Sequence, residues 1–388
     1  MTAEDLPLDI PDRTPWAAIA GIIATVSVFA IAQGLSYPLL SFILQRQGVS
    51  PSMIGLSAAM TPIGLMVSSP LIPALARRFG AGRTALSCAA LSALLLALIG
   101  WSENVYAWFP LRFLIGVAVN PLYVLSEIWM IALAPPARRG RIMGVYTSII
   151  SAGFAAGPLC LLIVGSHGWP PFLVGISAFV ICGACLASVL KQLPRVDEAG
   201  HRISVLGFVP LAWLLLFAVV VAAGFEQGIL ALLPVYGTYY AITEARMSAL
   251  LSLMIAGNIT LQIPLGLLAE RFTAQTVRLG CVTATILGCA LLPVLIETSL
   301  IWPMVFLWGA VSYGIYTMTL IELGERFSGS MLIAGNAAFS LMWGLGGIAV
   351  PPASGAALDL LGAQGLPIAL GLLCLVLAVA SVGGRRVA

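Results

Sequence analysis

The chain has 388 residues, of which 60% are hydrophobic and only 9% charged, with a net charge of +3 and a mean hydropathy of +1.06. A soluble domain carries about a quarter charged residues, so the composition excludes an ordinary water-soluble protein and sets the chain against a bilayer. The basic residues are dispersed without an interleaved aromatic stripe, which argues against nucleic acid as a partner.

The opening residues, MTAEDLPLDIPDRTP, are acidic and lack the basic start of a cleavable signal peptide. Beyond them, a spanning helix needs about 20 mostly apolar residues. Cutting at charges, prolines and polar clusters predicts twelve such segments: 16–43, 51–75, 84–101, 106–134, 142–165, 171–190, 204–237, 247–269, 275–296, 301–323, 331–353 and 366–383. The seventh is long enough to tilt or break. The seven cysteines all fall in these segments, and Cys182 and Cys185, although at redox spacing, read as small packing residues of the sixth. His167 and His201 fall in loops and the methionines form no helical stripe, so neither a metal nor a cofactor is expected.

Short cytoplasmic loops collect Arg and Lys. One side of the membrane receives Arg13, Arg77, Arg78, Arg83, Arg138, Arg139, Arg141, Lys191, Arg195, Arg202, Arg271, Arg278, Arg326, Arg385 and Arg386. The other receives only Arg46 and Arg246, while Arg112 lies within the fourth segment. Both termini are therefore expected in the cytoplasm, with the chain in an inner membrane.

The longest connection on the basic side divides the chain into a bundle over 1–190, a linker over 191–204 and a second bundle over 205–388. Sliding one half over the other by 193–194 residues superposes Gln33-Gly34 on Gln227-Gly228 and LARRF (75–79) on LAERF (268–272). The same shift brings Tyr123 onto Tyr316, and Gly153 and Pro158 onto Gly347 and Pro352. The reading is an all-α membrane protein of 12 transmembrane helices in two pseudo-symmetric six-helix bundles, with a substrate path between them.

On these features the chain resembles the major facilitator superfamily over nearly its whole length. The family's loop signature after the second helix is kept in the second half as Gly266, Glu270 and Arg271. The first half keeps Arg78, Gly80 and Arg83 but has Pro73 and Arg77 where a Gly and an Asp are expected. The resemblance implies a cytoplasmic gate at this loop. Arg112 and Gly116 resemble the fourth-helix signature, and Glu127-Ile-Trp129 followed by RRGRIMGVY (138–146) resembles an exporter-like branch of mostly unassigned substrate.

Gly144, Gly153, Gly157 and Pro158 match the fifth-helix signature associated with antiporters, with Leu161 and Leu162 in place of its trailing glycines. Gly153 and Gly157 are one turn apart and admit a second helix closely. Pro158 removes a backbone donor and favours a bend. Gly144 is about half a turn out of phase and must serve another contact. The expected role is a close, bent contact near the interface of the halves.

An ionisable residue inside a spanning helix is a functional candidate by default, and Arg112, Glu127 and Glu226 qualify. Glu322 and Glu325, near the end of the tenth segment, read as solvated interfacial acids. Arg112 and Glu127 are about 22 Å apart along one helix and cannot pair. In the family fold the first, fourth, seventh and tenth helices line the cavity, which implies a partnership of Arg112 with Glu226 across the halves. A carboxylate in low dielectric holds its proton tightly and a nearby arginine loosens it, so separating the two during opening would couple transport to protons. Glu127, within reach of Tyr123, is a second candidate carrier, and Arg112 is alternatively an anion site. The expected substrate wall comprises Arg112, Gln33, Tyr37, Asn120, Tyr123, Gln227, Tyr313 and Tyr316, with Asn258, Asn336 and Trp343 weaker candidates. Few charges among aromatic rings suit amphipathic or aromatic organic solutes.

No phosphate-binding loop is present and Lys191 is the only lysine, which disfavours a nucleotide-driven pump. The reading is a non-enzymatic, monomeric secondary transporter whose partners are the bilayer, protons and a small organic solute, with efflux by antiport favoured. Uptake by proton symport is the alternative, followed by a membrane-embedded enzyme or a sensor.

Overall fold

Apolar chain in a bilayer must satisfy its own backbone hydrogen bonds, and this sequence does so with helices. The computed structural model describes residues 16–102, 104–135, 139–194 and 205–383. Arg13, Arg138, Arg195, His201, Arg202, Arg385 and Arg386 lie outside the described residues, as does most of the expected linker. The long helices are α1 (Trp16–Arg46), α2 (Pro51–Ser68), α3 (Ala81–Trp101), α4 (Val105–Leu133), α5 (Arg139–Val164), α6 (Pro170–Val189), α7 (Val205–Thr238), α8 (Glu244–Arg271), α9 (Ala274–Leu295), α10 (Ile301–Arg326), α11 (Gly329–Leu361) and α12 (Gly365–Gly383). Among the described residues, 11 spans are long and apolar enough to cross a membrane. The last, Ala334–Val382, is 49 residues long and contains both α11 and α12, joined by a turn at Gly362–Gln364.

Local chemistry sets the ends and breaks. Thr243 and Thr273 cap α8 and α9, accepting from the backbone N–H of Arg246 and Thr276. α2 continues through a 3-10 turn at Ser69–Leu71 into a short helix, Ile72–Phe79, which stops at Gly80, whose φ of +86° suits glycine. α7 breaks at Ala212 (φ −141°, ψ 32°), two residues after Pro210, as its length suggested. α11 runs to Leu361, beyond the expected end at 353, because its Pro351-Pro352 step lies inside the helix. Neighbours brace that step: a Cβ on Gly55 of α2 would stand 2.2 Å from the Pro351 carbonyl oxygen.

Helices meet where glycine lets backbones touch. A Cβ on Gly64 would lie 2.1 Å from the Phe113 oxygen, and one on Gly116 would lie 2.1 Å from the Thr61 oxygen, which seats α2 against α4. The same pair recurs 193 residues later, where Gly257 meets the Phe306 oxygen and Gly309 the Met254 oxygen, both at 1.9 Å, seating α8 against α10. Gly153 and Gly157 pack on α1, where a Cβ on Gly157 would come within 2.2 Å of the Leu35 nitrogen. The partner of this glycine face is thus α1, while α5 also packs along α8. α5 runs as one helix through Pro158, and the surroundings of Gly144 lie outside the described residues.

The reading of Glu322 is corrected. It is only 2% exposed and contacts Arg278 of α9 at 2.9 Å, with Arg326 on its other side. Arg278, counted among the basic residues of the cytoplasmic side at the start of the ninth segment, is itself 1% exposed inside α9. A buried acid and a buried base share one desolvated site, whereas Glu325 is exposed as expected.

One end of the bundle is latched between α1 and α8. Arg46 Nη1 contacts Glu244 Oε1 at 2.6 Å and donates to Ser166 Oγ at 2.8 Å, while its Nη2 donates to the Ser166 carbonyl at 2.7 Å. The Ser166 hydroxyl also donates to Glu244, and the backbone N–H and hydroxyl of Ser52 both donate to Asp359. At the opposite, arginine-rich end, Phe79 and Phe272 are exposed, and Glu127 of α4 is exposed short of that end.

Candidate functional site

The sequence spreads its polar aromatic residues along α1, α4, α7 and α10, and helical periodicity turns several of them inward. A cavity is lined by Ala222, Phe225 and Glu226 of α7, Ser312, Tyr313 and Tyr316 of α10, and Trp343 of α11. Three of the expected residues, Glu226, Tyr313 and Tyr316, therefore share one space. The Tyr313 hydroxyl donates to the Glu226 carboxylate. Tyr316 packs edge-on against Trp343, with ring centroids 4.8 Å apart, and lies within electrostatic reach of both Glu226 and Glu127. Phe225 turns away from the cavity's aromatic pair to meet Trp308 edge-on at 5.3 Å.

Arg112 is 2% exposed and does not pair with Glu226. Its Nη1 donates to Ser57 Oγ of α2 at 3.3 Å and its guanidinium lies 5.9 Å from the centroid of the Tyr37 ring. Its Nε is buried without a hydrogen-bond partner. Tyr37 is within electrostatic reach of both Arg112 and Glu226. Among the described residues, no Lys or Arg forms an ion pair with Glu226.

The other expected wall residues divide. Gln33 is buried on α1 one turn from Tyr37. Gln227 is half-buried and its Oε1 has no partner. Tyr123 packs edge-on against Phe29 at 4.6 Å rather than bonding Glu127. Asn120 is turned away: its Nδ2 is shared between the Leu65 carbonyl at 2.9 Å and the Ser68 and Ser69 hydroxyls, each at 3.0 Å. That amide holds the point where α2 breaks, which is a structural task. The weaker candidate Asn258 accepts from Gln262 at 2.5 Å, Asn336 is exposed, and Trp343 is the one that reaches the cavity.

At the arginine-rich end, Arg78 lies 5.4 Å from the Phe79 ring centroid, and Arg83, Glu270 and Arg271 are exposed. A Cβ on Gly266 would touch nothing within 4 Å, and among the described residues no ion pair engages Glu270. Sequence reasoning missed Ser57, Phe225 and Ser312. It also missed the latch, although Arg46 and Glu244 were visible as rare charges at span ends. Among the described residues, no group of three or more His, Cys, Asp or Glu side chains is placed to hold a metal.

A bundle of apolar helices around a half-buried carboxyl is the architecture of a membrane carrier, and comparison with known proteins decides which. The sequence profile of the Major Facilitator Superfamily matches residues 22–328. The chain belongs to the Major Facilitator Superfamily. The protein is therefore a secondary transporter, and its family is a non-enzymatic one. It is 26% identical over 343 residues to the uncharacterized MFS-type transporter YfkF of Bacillus subtilis (strain 168), covering 86% of this chain and 87% of that one. It is 22% identical over 310 residues to YcaD, another uncharacterized MFS-type transporter, of Escherichia coli O7:K1 (strain IAI39 / ExPEC), covering 79% and 80%. Its fold matches the crystal structure of the nucleoside transporter NupG with a TM-score of 0.78 at 14% identity, over 94% of this chain and 98% of that one. It also matches a bacterial homologue of the human lysosomal transporter Spinster in an inward-facing, unoccupied conformation, with a TM-score of 0.75 at 13% identity, over 95% and 96%.

Proposed function

We propose that this superfamily member is a monomeric, proton-coupled exporter of a small organic solute, working by antiport in the inner membrane. Its two halves, residues 1–190 and 205–388, rock about a path between α1, α4, α7 and α10, with twelve crossings and both termini cytoplasmic. The 49-residue final span supports the count, because at about 1.5 Å per residue it is more than twice a hydrocarbon core of about 30 Å. The glycine contacts repeated 193 residues apart support the two halves. The observation that carries the coupling is Glu226: an acid with no ion-pair partner among the described residues, in a cavity between α7 and α10, while Arg112 is turned to Ser57 and the Tyr37 ring. A carboxyl so placed is stable when protonated and gains a cation if the halves move Arg112 toward it.

In proteoliposomes with an internal pH dye, a panel of cationic, neutral and anionic solutes is expected to include at least one that evokes proton movement with wild type. That movement should be absent with Glu226→Gln. Protons moving against the solute identify antiport, and protons moving with it identify symport. Solute flux without proton movement, or an unaffected variant, removes Glu226 from the mechanism.

In this reading the Arg46–Glu244 latch seals the outer end of the path and breaks when the transporter opens outward. The contact is partly exposed, 28% at each side chain, so its loss is worth about 0–1 kcal/mol. A cysteine in place of Ser354, which is 1% exposed on α11, reports opening by its reaction with a membrane-impermeant thiol reagent. Arg46→Ala and Glu244→Gln are expected to speed labelling by about two- to fivefold. Arg246→Ala is the control, since Arg246 bonds the Ile296 and Thr298 carbonyls at the end of α9, and equal labelling in all variants counts against the latch.

A further inference from the structure

The space around Glu226 has a chemistry more specific than "organic solute". Its carboxylate faces Tyr313, Tyr316 and Trp343 and, among the described residues, pairs with no cation, while Arg112 is turned to Ser57 and the Tyr37 ring. A second acid, Glu127, is exposed outside the cavity but within electrostatic reach of Tyr316. An anion entering the cavity meets the Glu226 carboxyl. A neutral, hydroxyl-bearing solute meets the hydroxyls of Ser312, Tyr313 and Tyr316, of which Tyr313 already donates to Glu226, and leaves the charge of the carboxylate unmatched. A positive centre finds a carboxylate and aromatic rings together, and the faces of Trp and Tyr attract cations. In this conformation the cavity has only about 10 Å³ of free space, room for about one water, so its walls must part to admit a solute.

We propose that the substrate is an organic cation with an aromatic or apolar body, its positive centre held by the Glu226 carboxylate and the rings of Tyr316 and Trp343. The inference rests on the reading of α7 and α10 as walls of the transport path. It does not need Glu226 to carry protons, because a charged carboxylate binds a permanent cation whatever its part in coupling. Phe225, on α7 beside Glu226, supplies apolar wall for the body of the solute.

Benzyltrimethylammonium is the probe, because its charge is permanent and it has no exchangeable proton. Binding is measured by titration calorimetry on the full-length protein in detergent at one pH, against benzyl alcohol and benzoate as neutral and anionic comparators. The expected result is saturable binding of the ammonium at about tenfold or more higher affinity than benzyl alcohol, with benzoate not bound. Glu226→Gln and Trp343→Leu should each erase most of that preference, while Glu226→Asp keeps it. Thermal unfolding identifies any variant that fails to fold, and Trp343→Leu against Glu226→Asp then carries the comparison alone. Equal affinity for ammonium and alcohol, preference for benzoate, or a preference untouched in folded Glu226→Gln or Trp343→Leu overturns the inference. Proton movement evoked only by neutral or anionic solutes overturns it too, yet leaves proton coupling standing. Ammonium binding without any coupled proton movement does the reverse.

Discussion

Glu322→Ala is expected to lower stability by about 3–5 kcal/mol, the cost of leaving a buried charge without its partner. The partner is Arg278, 1% exposed on α9 and 2.9 Å from the Glu322 carboxylate. Arg278 has no other acid in contact among the described residues, so removing Glu322 strands a guanidinium among apolar side chains. Arg326 is different: its side chain is 48% exposed, and Arg326→Ala should cost no more than about 1 kcal/mol. The buried cysteines provide the readout. Cys281 lies three residues beyond Arg278 and is 3% exposed, and Cys289 is 2% exposed, so both meet a thiol-reactive dye only when the second half opens. The unfolding transition followed this way should drop sharply for Glu322→Ala and Arg278→Ala. It should return close to wild type in the double variant Arg278→Met with Glu322→Leu, because exchanging a buried pair for apolar groups of similar volume is often neutral or stabilising. Single variants as stable as wild type would show that water reaches the pair. The pair joins α9 to α10, and α10 also carries Tyr313 and Tyr316, so its loss loosens one wall of the cavity as well as the bundle.

Glu322 also shows where sequence reasoning stops. Leu320 and Ile321 precede it, and Leu323, a glycine and two charges follow, which reads as a helix end in the headgroups. Its burial depends on Arg278, on a different helix 44 residues earlier, and no local pattern reveals that. Helix positions were legible because each is a run of apolar residues bounded by charge, proline or polar clusters, and the ends fall within a few residues except at α2 and α11. The second segment, expected to 75, breaks after Ser68 and resumes as a short helix to Phe79, and α11 passes its expected end at 353 to reach Leu361, since proline is tolerated where neighbours hold the backbone. Which helix meets which was less legible. The Gly153–Gly157 spacing announced a close contact but not its partner, α1. In the site, the periodicity that placed Glu226, Tyr313 and Tyr316 inward also placed Asn120 there, and only the coordinates show its amide spent on the α2 break. Arg112 and Glu226 were visible as charges within apolar segments, but that Arg112 turns to Ser57 and the Tyr37 ring instead of to Glu226 depends on side-chain direction.

Gly309→Leu is expected to prevent assembly of the second half. A Cβ alone would stand 1.9 Å from the Met254 carbonyl oxygen, more than 1 Å inside any allowed approach. The obstacle is backbone, which has no rotamer to yield, so α8 and α10 must separate. Overpacking a core against side chains costs about 1–3 kcal/mol, and forcing two helices apart along their seam should exceed that, at about 4 kcal/mol or more. Even Gly309→Ala should destabilise, although alanine favours a helix over glycine by about 1 kcal/mol. Gly116→Leu should behave alike in the first half, where its Cβ would stand 2.1 Å from the Thr61 oxygen. Gly266→Leu and Gly280→Leu are the controls, since a Cβ at either position touches nothing within 4 Å. Fluorescence-detected size-exclusion of fusion proteins should show loss of the monodisperse peak for Gly309→Leu and Gly116→Leu, with the controls at wild-type level. None of these contacts carries a Gly-x-x-x-Gly signature: each uses one glycine per helix, Gly64 with Gly116 and Gly257 with Gly309, so that two backbones lock reciprocally. A lock of that kind suits helices that move together. Should Gly309→Leu assemble normally, α8 and α10 can slide past each other, and the rigid units in transport must be smaller than six helices.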